Sequence, residues 1–501
     1  MGRRKLYNVH FKRCNFQNHK STSSNSPSFF FNLPTISLFF INTHFPENSI
    51  LQLLLNRSTK FVYHSLHLHD PPLKYNICSA MYNKAYTRIF HIANLKTKLG
   101  LVFCSRWYST TEKGKRFAAL WGNGDYGRLG LGNVNSQWKP VACSAFNGDL
   151  LRSISCGGAH TLFLTESGRV YASGLNDFGQ LGISDDKDYS MEPTKISGIK
   201  KDVKQIFAGY CHSCAITVDG ELYMWGKNSN GQLGLGKSAP KAVSTPTIVK
   251  CLTGLSIETA ALGSEHSIAV TDEGVTLSWG GENSGRLGHE RQSGLFNFIS
   301  CKSEYTPRII KRLEGIKITA VAAGLMHSAC IDENGNVFVF GEGKLNKLNA
   351  RNSVDVTRLP MLSDLPIAKD VACGGYHTCV ITRNGELYTW GSNENGCLGI
   401  GCTDVIHSPE RVEGPFVRQS VNKVSCGWKH TAAIADGYVF TWGWGGSHGT
   451  FSVDGQSSGG QLGHGTDVDY IEPTVIDLSS DVRALEVSCG FNHTGAIFEY
   501  M

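Results

Sequence analysis

Residues 219–234 read Asp-Gly-Glu-Leu-Tyr-Met-Trp-Gly-Lys-Asn-Ser-Asn-Gly-Gln-Leu-Gly, and this stretch decides the fold. The segment from Glu221 to Trp225 alternates in the manner of a β-strand. The Asp-Gly pair before it supplies the positive φ that a two-residue hairpin needs. We therefore predict a hairpin, a strand that ends at the Trp-Gly pair, and then a tight glycine-rich loop.

The same unit recurs along the chain, and three motifs mark its copies. The first is a Gly-x-x-His-like step followed by Ser or Thr, with histidines at His160, His212, His266, His327, His377, His430 and His493. The second is an aromatic-Gly pair at Trp121, Trp225, Trp279, Phe340, Trp390 and Trp442, with Ser173 in the remaining place. The third is Gly-(Gln/Arg/Cys)-Leu-Gly, which ends at Gly130, Gly182, Gly234, Gly288, Gly399 and Gly463. The period is about 55 residues, so seven units fill residues 117–501.

The two ends of this repeat region complement each other. The strand near Phe117 to Trp121 lacks a preceding hairpin partner, whereas the last strand, from Gly495 to Tyr500, lacks a following one. Pairing the two closes a ring and removes exposed sheet edges. We therefore predict an all-β fold, a seven-bladed β-propeller whose closing blade is shared by both ends of residues 117–501.

The motifs resemble the regulator of chromosome condensation repeat family, whose unit reads roughly Gly-x-x-His-(Ser/Thr)…Gly-x-(Val/Leu)-(Tyr/Phe)-x-Trp-Gly-x-Asn-x-x-Gly-Gln-Leu-Gly. Residues 219–234 are close to this pattern, and the resemblance spans about 385 residues. The fourth unit departs from it, because no Gly-Gln-Leu-Gly follows Phe340-Gly341. The third and seventh units carry insertions near 289–304 and 444–459.

Charge divides the chain in two. The whole chain has 48 Lys+Arg and 42 Asp+Glu, but residues 1–111 hold 14 basic residues and only two acids, Glu47 and Asp70. The other 390 residues therefore carry a net charge of −6. From Met81 to Tyr108, five basic residues and no acid accompany apolar residues spaced three, four or seven apart. Such a basic, amphipathic, acid-free segment is typical of an import leader.

We expect residues 81–108 to be a mitochondrial transit peptide cut between Tyr108 and Ser109, since Arg106 stands at the spacing of a processing site. Residues 109–116 would be a linker, and the protein would work in the mitochondrial matrix. A chloroplast address, or a basic arm that touches acidic partners, is the alternative. Residues 1–80 are expected to be an extension that is seldom translated. They contain no run of the ~18 apolar residues that a membrane span needs.

The composition is that of a folded, turn-rich chain. Hydrophobic residues make up 41%, which excludes wholesale disorder, and 56 of 501 residues are glycine, which favours tight turns. The 16 cysteines do not indicate a disulfide framework, which suits short secreted chains. Cys211 and Cys214 have Cys-x-x-Cys spacing but no second close pair to complete a zinc site. We expect the cysteines to be small buried residues.

Two catalytic patterns occur within repeat sequence. Residues 231–238 match the phosphate-binding loop Gly-x-x-x-x-Gly-Lys-Ser, but Ala239-Pro240 follows where that loop requires a helix. Residues 445–449 match the Gly-x-Ser-x-Gly nucleophile elbow, but they lie in a Gly/Ser-rich insertion. We expect neither nucleotide binding nor hydrolase chemistry from them.

The repeated residues are expected to be structural. Seven histidines spread around a ring diverge too widely to bind one metal ion, and we expect each imidazole to hydrogen-bond backbone within its blade. The tryptophans of the second motif are expected to pack between blades. We predict no catalytic residue, no cofactor and no metal.

The family resemblance implies several functions. The nuclear type is a guanine-nucleotide exchange factor that acts on a small GTPase. Mitochondrial members help organellar gene expression, in RNA processing, splicing or ribosome assembly, and so support respiratory complexes such as complex I. Other members are ultraviolet-B photoreceptors marked by repeated Gly-Trp-Arg-His-Thr, of which this chain has one near match, at 427–431. Photoreception therefore ranks last.

We expect a non-enzymatic protein-interaction platform in mitochondria, with guanine-nucleotide exchange as the alternative. Its partners would be organellar RNA-processing or ribosome factors, or a small GTPase. The charge of −6 on the propeller does not favour direct nucleic-acid binding. Candidate partner contacts are Trp428 and, in the seventh-unit insertion, His448 and Phe451, since exposed aromatics and long loops often mark interfaces.

Overall fold

The computed structural model describes residues 114–146, 149–183, 187–289, 303–341, 365–446 and 459–501. Seven antiparallel sheets, the blades, follow one another through these residues; six have four described strands and one has three. This arrangement confirms the predicted all-β, seven-bladed propeller. The predictions for residues 1–80, for residues 81–108 and for cleavage between Tyr108 and Ser109 concern residues outside the described ranges, and His448 and Phe451 also lie outside them.

The strands follow the repeat. The described chain opens with β1 (Arg116–Gly122) and β2 (Gln137–Ala142). Blade 1 consists of β3 (Leu151–Cys156), β4 (His160–Thr165), β5 (Val170–Leu175) and β6 (Tyr189–Lys195). Blade 2 consists of β7 (Val203–Ala208), β8 (His212–Thr217), β9 (Leu222–Lys227) and β10 (Ala242–Ile248). Blade 3 consists of β11 (Ile257–Leu262), β12 (His266–Thr271), β13 (Thr276–Gly280) and β14 (Glu304–Ile309).

The second half repeats this order. Blade 4 shows β15 (Ile318–Ala323), β16 (His327–Asp332) and β17 (Val337–Gly341). Blade 5 consists of β18 (Ala368–Cys373), β19 (His377–Thr382), β20 (Leu387–Gly391) and β21 (Ile406–Arg411). Blade 6 consists of β22 (Val421–Cys426), β23 (His430–Ala435), β24 (Tyr438–Gly443) and β25 (Tyr470–Val475). The last strands are β26 (Val482–Cys489) and β27 (His493–Tyr500). Short 3₁₀ turns lie at Asp125–Gly127, Ser144–Phe146, Lys250–Leu252, Asn283–Gly285, Lys311–Leu313 and Gly414–Val417.

The two ends of the described chain meet in blade 7. Its strand order is β2-β1-β27-β26, so β1 pairs with the last strand of the chain. Phe117 lies opposite Phe498 with ring centroids 5.6 Å apart, and Trp121 lies opposite Thr494. This pairing closes the ring between the two segments that the sequence predicted. Both β1 and β27 are central strands of blade 7, so neither is an edge strand.

The hairpins differ from the predicted two-residue form. In blade 2 the Gly220 amide donates to the Thr217 carbonyl at 3.0 Å, and Gly220 has φ +77°. The loop therefore has three residues, a turn closed by one glycine in the left-handed region, and Asp219 keeps a negative φ. Among the described blades only blade 6 has a two-residue loop, in which Asp436 and Gly437 both have positive φ.

The motif tryptophans join neighbouring blades. Trp225 of blade 2 is fully buried and packs in one cluster with Leu162 and Leu181 of blade 1. The remaining four repeat this contact with the preceding blade at full burial: Trp121, Trp279, Trp390 and Trp442. The core therefore consists of layers between blades rather than one central mass.

Glycine is required where the motifs touch. Gly226, directly after Trp225, has φ +104°, and a Cβ there would lie 2.7 Å from the Cys211 carbonyl oxygen. Gly234, the last residue of Gly-Gln-Leu-Gly, has φ +68°, and its Cβ would lie 3.0 Å from Trp279 Nε1. The loop of one blade thus lies against the indole of the next, which explains why the motifs recur together.

Trp390→Ala should lower the free energy of unfolding by about 3–5 kcal/mol, because it truncates a large, fully buried side chain between blades 4 and 5. Urea unfolding followed by circular dichroism measures the loss. Tyr438→Ala truncates an aromatic side chain that is 54% exposed and should change the value by less than about 0.5 kcal/mol. A loss below about 1 kcal/mol for Trp390→Ala would contradict the inter-blade role.

Candidate functional site

The seven motif histidines form a closed circle of contacts between blades. Each Nε2 lies 2.9–3.1 Å from a Ser or Thr hydroxyl of the following blade, and blade 7 returns to blade 1. The pairs are His160–Ser213, His212–Ser267, His266–Ser328, His327–Thr378, His377–Thr431, His430–Thr494 and His493–Thr161. The partner is thus a side chain of the next blade and not backbone of the same blade, as the sequence had led us to expect.

Within the described residues, six of the seven hydroxyls also donate to a backbone carbonyl in the third motif. Ser213 donates to the Gln180 carbonyl at 2.8 Å, and the Trp225 indole donates to the same oxygen at 2.9 Å. Equivalent hydroxyl donations link Thr161–Arg128, Ser267–Gln232, Ser328–Arg286, Thr431–Cys397 and Thr494–Gln461. Because the hydroxyl proton is used in this way, the hydroxyl must accept from the imidazole, which fixes the Nε2–H tautomer.

This geometry excludes a catalytic role for the histidine–hydroxyl pairs. The His160–Ser213 distance of 2.9 Å is that of a nucleophile and its base. In such a dyad, however, the imidazole accepts the hydroxyl proton. Here the imidazole donates to the Ser213 hydroxyl, and that hydroxyl donates its own proton to the Gln180 carbonyl oxygen. Both side chains are also fully buried. The ring of pairs is therefore a structural latch between blades.

Burial keeps these imidazoles neutral. It lowers the pKa of His160, His212, His377 and His430 to about 3, and that of His327 to about 4. The pKa values of His266 and His493 are also well below the ordinary range for the same reason. A neutral imidazole can remain in the buried latch without a counter-ion.

The seven Gly-x-x-His turns converge on a central cavity of about 130 Å³ at one end of the ring. The residue that follows the first glycine of each turn lines the cavity. These seven residues are Gly158, Tyr210, Ser264, Leu325, Gly375, Trp428 and Phe491. Three of the seven are aromatic, and they come from blades 2, 6 and 7. The cavity wall is therefore asymmetric although the ring is repetitive.

The three aromatic residues form a continuous surface, which we call the aromatic arc (Tyr210, Phe491, Trp428). Trp428 stacks on Phe491 with centroids 4.4 Å apart and planes 10° apart, and Tyr210 meets Phe491 edge-on at 5.2 Å. Gly158 separates Tyr210 from Phe491 along the ring, and a Cβ there would lie 2.9 Å from Tyr210 Cδ2. The small residue thus allows the two rings to meet.

Further groups support the arc. Trp444 packs edge-on against Trp428 at 5.6 Å, and this is the only ring contact between two tryptophans within the described residues. Lys429 Nζ lies 5.1 Å from the Trp428 ring and 3.0 Å from a Glu394 carboxylate oxygen. Tyr210 is 41% exposed. The arc thus combines partly exposed rings with a charged rim, formed by Lys429 and Glu394.

Two buried arginines lie near the same end of the ring. Arg286 is 1% exposed and bonds the Glu265 carboxylate at 3.0 Å and the Leu325 carbonyl at 3.1 Å. Arg128 bonds the Asp125 carbonyl at 3.0 Å, and burial lowers its pKa to about 10, so it stays charged at neutral pH. These cations hold the turns that frame the cavity.

Sequence reasoning singled out Trp428 but missed its neighbours. Tyr210, Phe491 and Trp428 occupy one repeat position, as alignment of the seven units shows, but a shared position does not predict which of its seven residues meet. The repeat does not predict the contact with Trp444. Trp444 follows the Trp442-Gly443 pair that ends β24, whereas Trp428 lies in the turn between β22 and β23. The phosphate-loop pattern of residues 231–238 lies in the connection between β9 and β10, with no helix after Lys237.

One group of side chains could hold a metal ion. Among the described residues, His377, Cys379 and Cys426 each offer a ligand atom, and these atoms lie within 4.8 Å of one another. A hydrogen bond with Cys426 lowers the pKa of the Cys379 thiol, while burial raises that of Cys426. Cys211 and Cys214, singled out for their spacing, do not belong to this group.

Comparison with known proteins supports the fold and extends it. The family model described as RCC1-like domain matches residues 118–496. The ultraviolet-B receptor UVR8 of Arabidopsis thaliana is 34% identical over 368 residues, which are 72% of this chain and 77% of that receptor. The RCC1 domain-containing protein RUG3, mitochondrial, of the same plant is 33% identical over 332 residues, or 63% of this chain and 72% of that protein.

Among solved structures, Prp20p of Saccharomyces cerevisiae matches with a TM-score of 0.65 at 22% identity, covering 78% of this chain and 93% of that one. The latched ring, its repeated motifs and its shared closing blade define a propeller of chromosome-condensation-regulator repeats. The chain belongs to the RCC1-like domain family. Within the described residues, no helix has the length and apolarity needed to cross a bilayer.

The histidine latch predicts a pH-dependent stability. Each imidazole has a folded-state pKa below its unfolded value of about 6.5, so unfolding takes up protons as the pH falls from about 6.5 toward 3. The free energy of unfolding should fall by about 1.4 kcal/mol per pH unit for each latch histidine in that window. Urea unfolding at several pH values between 5 and 7 measures the slope.

A single substitution tests the assignment of that slope. His212→Gln keeps an amide that can donate to Ser267, but it removes one titrating group. The variant should show a slope smaller by about 1.4 kcal/mol per pH unit. An unchanged slope would contradict the proton uptake that we assign to the latch.

Proposed function

We propose that this protein is a non-enzymatic protein-interaction platform in mitochondria that supports organellar gene expression. The observation that carries the binding role is the aromatic arc at the central cavity. Stacked rings with partly exposed faces bind partner side chains well, because they bury large apolar area at little entropic cost. The latched ring holds them rigidly, which keeps the ordering cost of binding low.

The charged rim of the arc favours partners with particular charges. Lys429 flanks Trp428 and is paired with the exposed Glu394, so an acidic group of a partner can compete for the ammonium. A partner segment with an apolar or aromatic anchor and a neighbouring acid would therefore complement this surface. Trp428 remains our candidate contact, and Tyr210 and Phe491 join it.

Two observations support a mitochondrial site of action. The relative RUG3 carries the word mitochondrial in its name, and residues 81–108 have the composition of an import leader. Organellar RNA-processing or ribosome-assembly factors are the partners that such a setting favours. Guanine-nucleotide exchange is the second candidate, since the structure of Prp20p was described with binding properties to Gsp1p and histones.

Affinity purification tests the platform role. The tagged full chain is expressed in cells, and the proteins that co-purify from isolated mitochondria are identified. We expect RNA-processing or ribosome proteins, and we expect Trp428→Ala to lose most of them while remaining folded. Tyr438→Ala, which removes an exposed aromatic at the opposite end of its blade, is the control and should retain them. Equal recovery with Trp428→Ala would reject the arc as the contact surface.

Guanine-nucleotide exchange is tested separately by release of labelled GDP. Organellar small GTPases are loaded with labelled GDP and mixed with the full chain in the presence of excess unlabelled nucleotide. The platform role predicts no acceleration over spontaneous release. Acceleration that depends on the concentration of the full chain would instead establish the second candidate for the GTPase concerned.

A further inference from the structure

The interface between blades 5 and 6 differs chemically from the other six. His377 and Cys379 lie on β19, and Cys426 ends β22, so the group spans two blades. One ligand atom from each lies within 4.8 Å of the others. His377 and Cys379 are almost fully buried, and Cys426 is half-buried. Two thiols and an imidazole therefore meet in a confined space.

The repeat makes this meeting specific to one interface. The position of Cys379 faces the last inner-strand residue of the next blade, which is Cys426. The six other interfaces place Leu162 with Ala208, Cys214 with Leu262, Ile268 with Ala323, Ala329 with Cys373, Ala432 with Cys489, and Gly495 with Cys156. Only Cys379 and Cys426 put thiols on both sides. The latch histidine is present at all seven interfaces, so the added chemistry comes from the paired thiols.

We propose that His377, Cys379 and Cys426 form a binding site for a single thiophilic d¹⁰ metal ion, zinc(II) or copper(I). Thiolate and imidazole are the donors that these ions prefer, and Ca²⁺ and Mg²⁺, which need oxygen ligands, do not suit the set. Three donors satisfy copper(I). Zinc(II) would take a fourth donor, as in sites that keep an open position.

Two cavities reach residues of the proposed site. Cys426 lines the central cavity together with the ends of the other inner strands. His377 lines a second, smaller cavity with Ser392 and Glu394. A buried site of this kind needs such an entry path.

Binding would exchange one latch contact for a metal bridge. His377 Nε2 now lies 2.9 Å from the Thr431 hydroxyl, which donates to the Cys397 carbonyl. If the ion takes this nitrogen, the other six latch pairs still close the ring. An ion that binds the folded ring and not the unfolded chain raises its stability. The expected consequence is a clamp across blades 5 and 6.

Metal titration of the full chain tests the proposal. The protein is purified without a metal-binding tag and kept in a phosphine reductant. Zinc(II) is titrated against a chromophoric chelator and copper(I) against a copper(I)-specific chelator. We expect one equivalent of at least one ion, an upward shift of the thermal unfolding midpoint, and, with cobalt(II) as a probe for the zinc arm, a thiolate-to-metal charge-transfer band.

The chain itself supplies conservative variants. Cys379→Ala and Cys426→Ala install the residue that other blades carry at these positions, so folding should survive. Each should weaken binding by about 100-fold or more. Cys214→Ala and Cys489→Ala remove the matching thiols at other interfaces and should bind like the unaltered chain.

Three results would overturn the site. The first is the absence of binding by the unaltered folded chain to either ion. The second is unchanged affinity in Cys379→Ala and Cys426→Ala. The third is a Cys379–Cys426 disulfide in protein isolated from cells with thiols trapped at lysis, because that bond would consume both ligands. Loss of the proposed partner binding would leave this metal site untouched, so the two proposals fail independently.

Discussion

The contact on which the rest of the structure depends is the latch between consecutive blades. A neutral imidazole donates to the hydroxyl of the next blade, that hydroxyl donates to a carbonyl, and an indole donates to the same carbonyl, as in His160, Ser213, Gln180 and Trp225. The imidazole Nε2, the hydroxyl, the carbonyl and the indole are buried and hydrogen-bond to one another, so the loss of one of these groups leaves another buried polar group unpaired. The repeat motifs recur in the sequence because they supply the residues of this network.

Closure of the ring follows from the latch and the shared blade together. His493 reaches Thr161 across the point where the two ends of the described chain meet, and β1 pairs with β27. The indole is absent at two interfaces, where Ser173 and Phe340 take its place, and within the described residues the Trp390 indole has no hydrogen-bond partner. That observation agrees with the missing Gly-Gln-Leu-Gly of the fourth unit, whose carbonyl serves the indole elsewhere.

The two features to which we assign proposed functions lie where the repetition breaks. The aromatic arc occupies a position that is glycine, serine or leucine in four blades, and the paired thiols of Cys379 and Cys426 occupy one interface of seven. Four of the seven turns have no aromatic residue at this position and six of the seven interfaces have no thiol pair, so the repeat itself does not require either feature. The scaffold thereby fixes the positions of groups whose chemistry differs from blade to blade.

The sequence by itself determined the number of blades and the strand-turn pattern, because period and turn chemistry act within about 55 residues. It also indicated the closing pair, because each end of the repeat region holds a strand without its hairpin partner. It did not determine the hydroxyl partners of the histidines, the three-residue hairpins, the contact of Tyr210 with Phe491, or the meeting of Cys379 with Cys426. These depend on how far one blade is turned and shifted against the next. Only the tertiary structure decides that relation, since it joins residues about one repeat or more apart at a matching register.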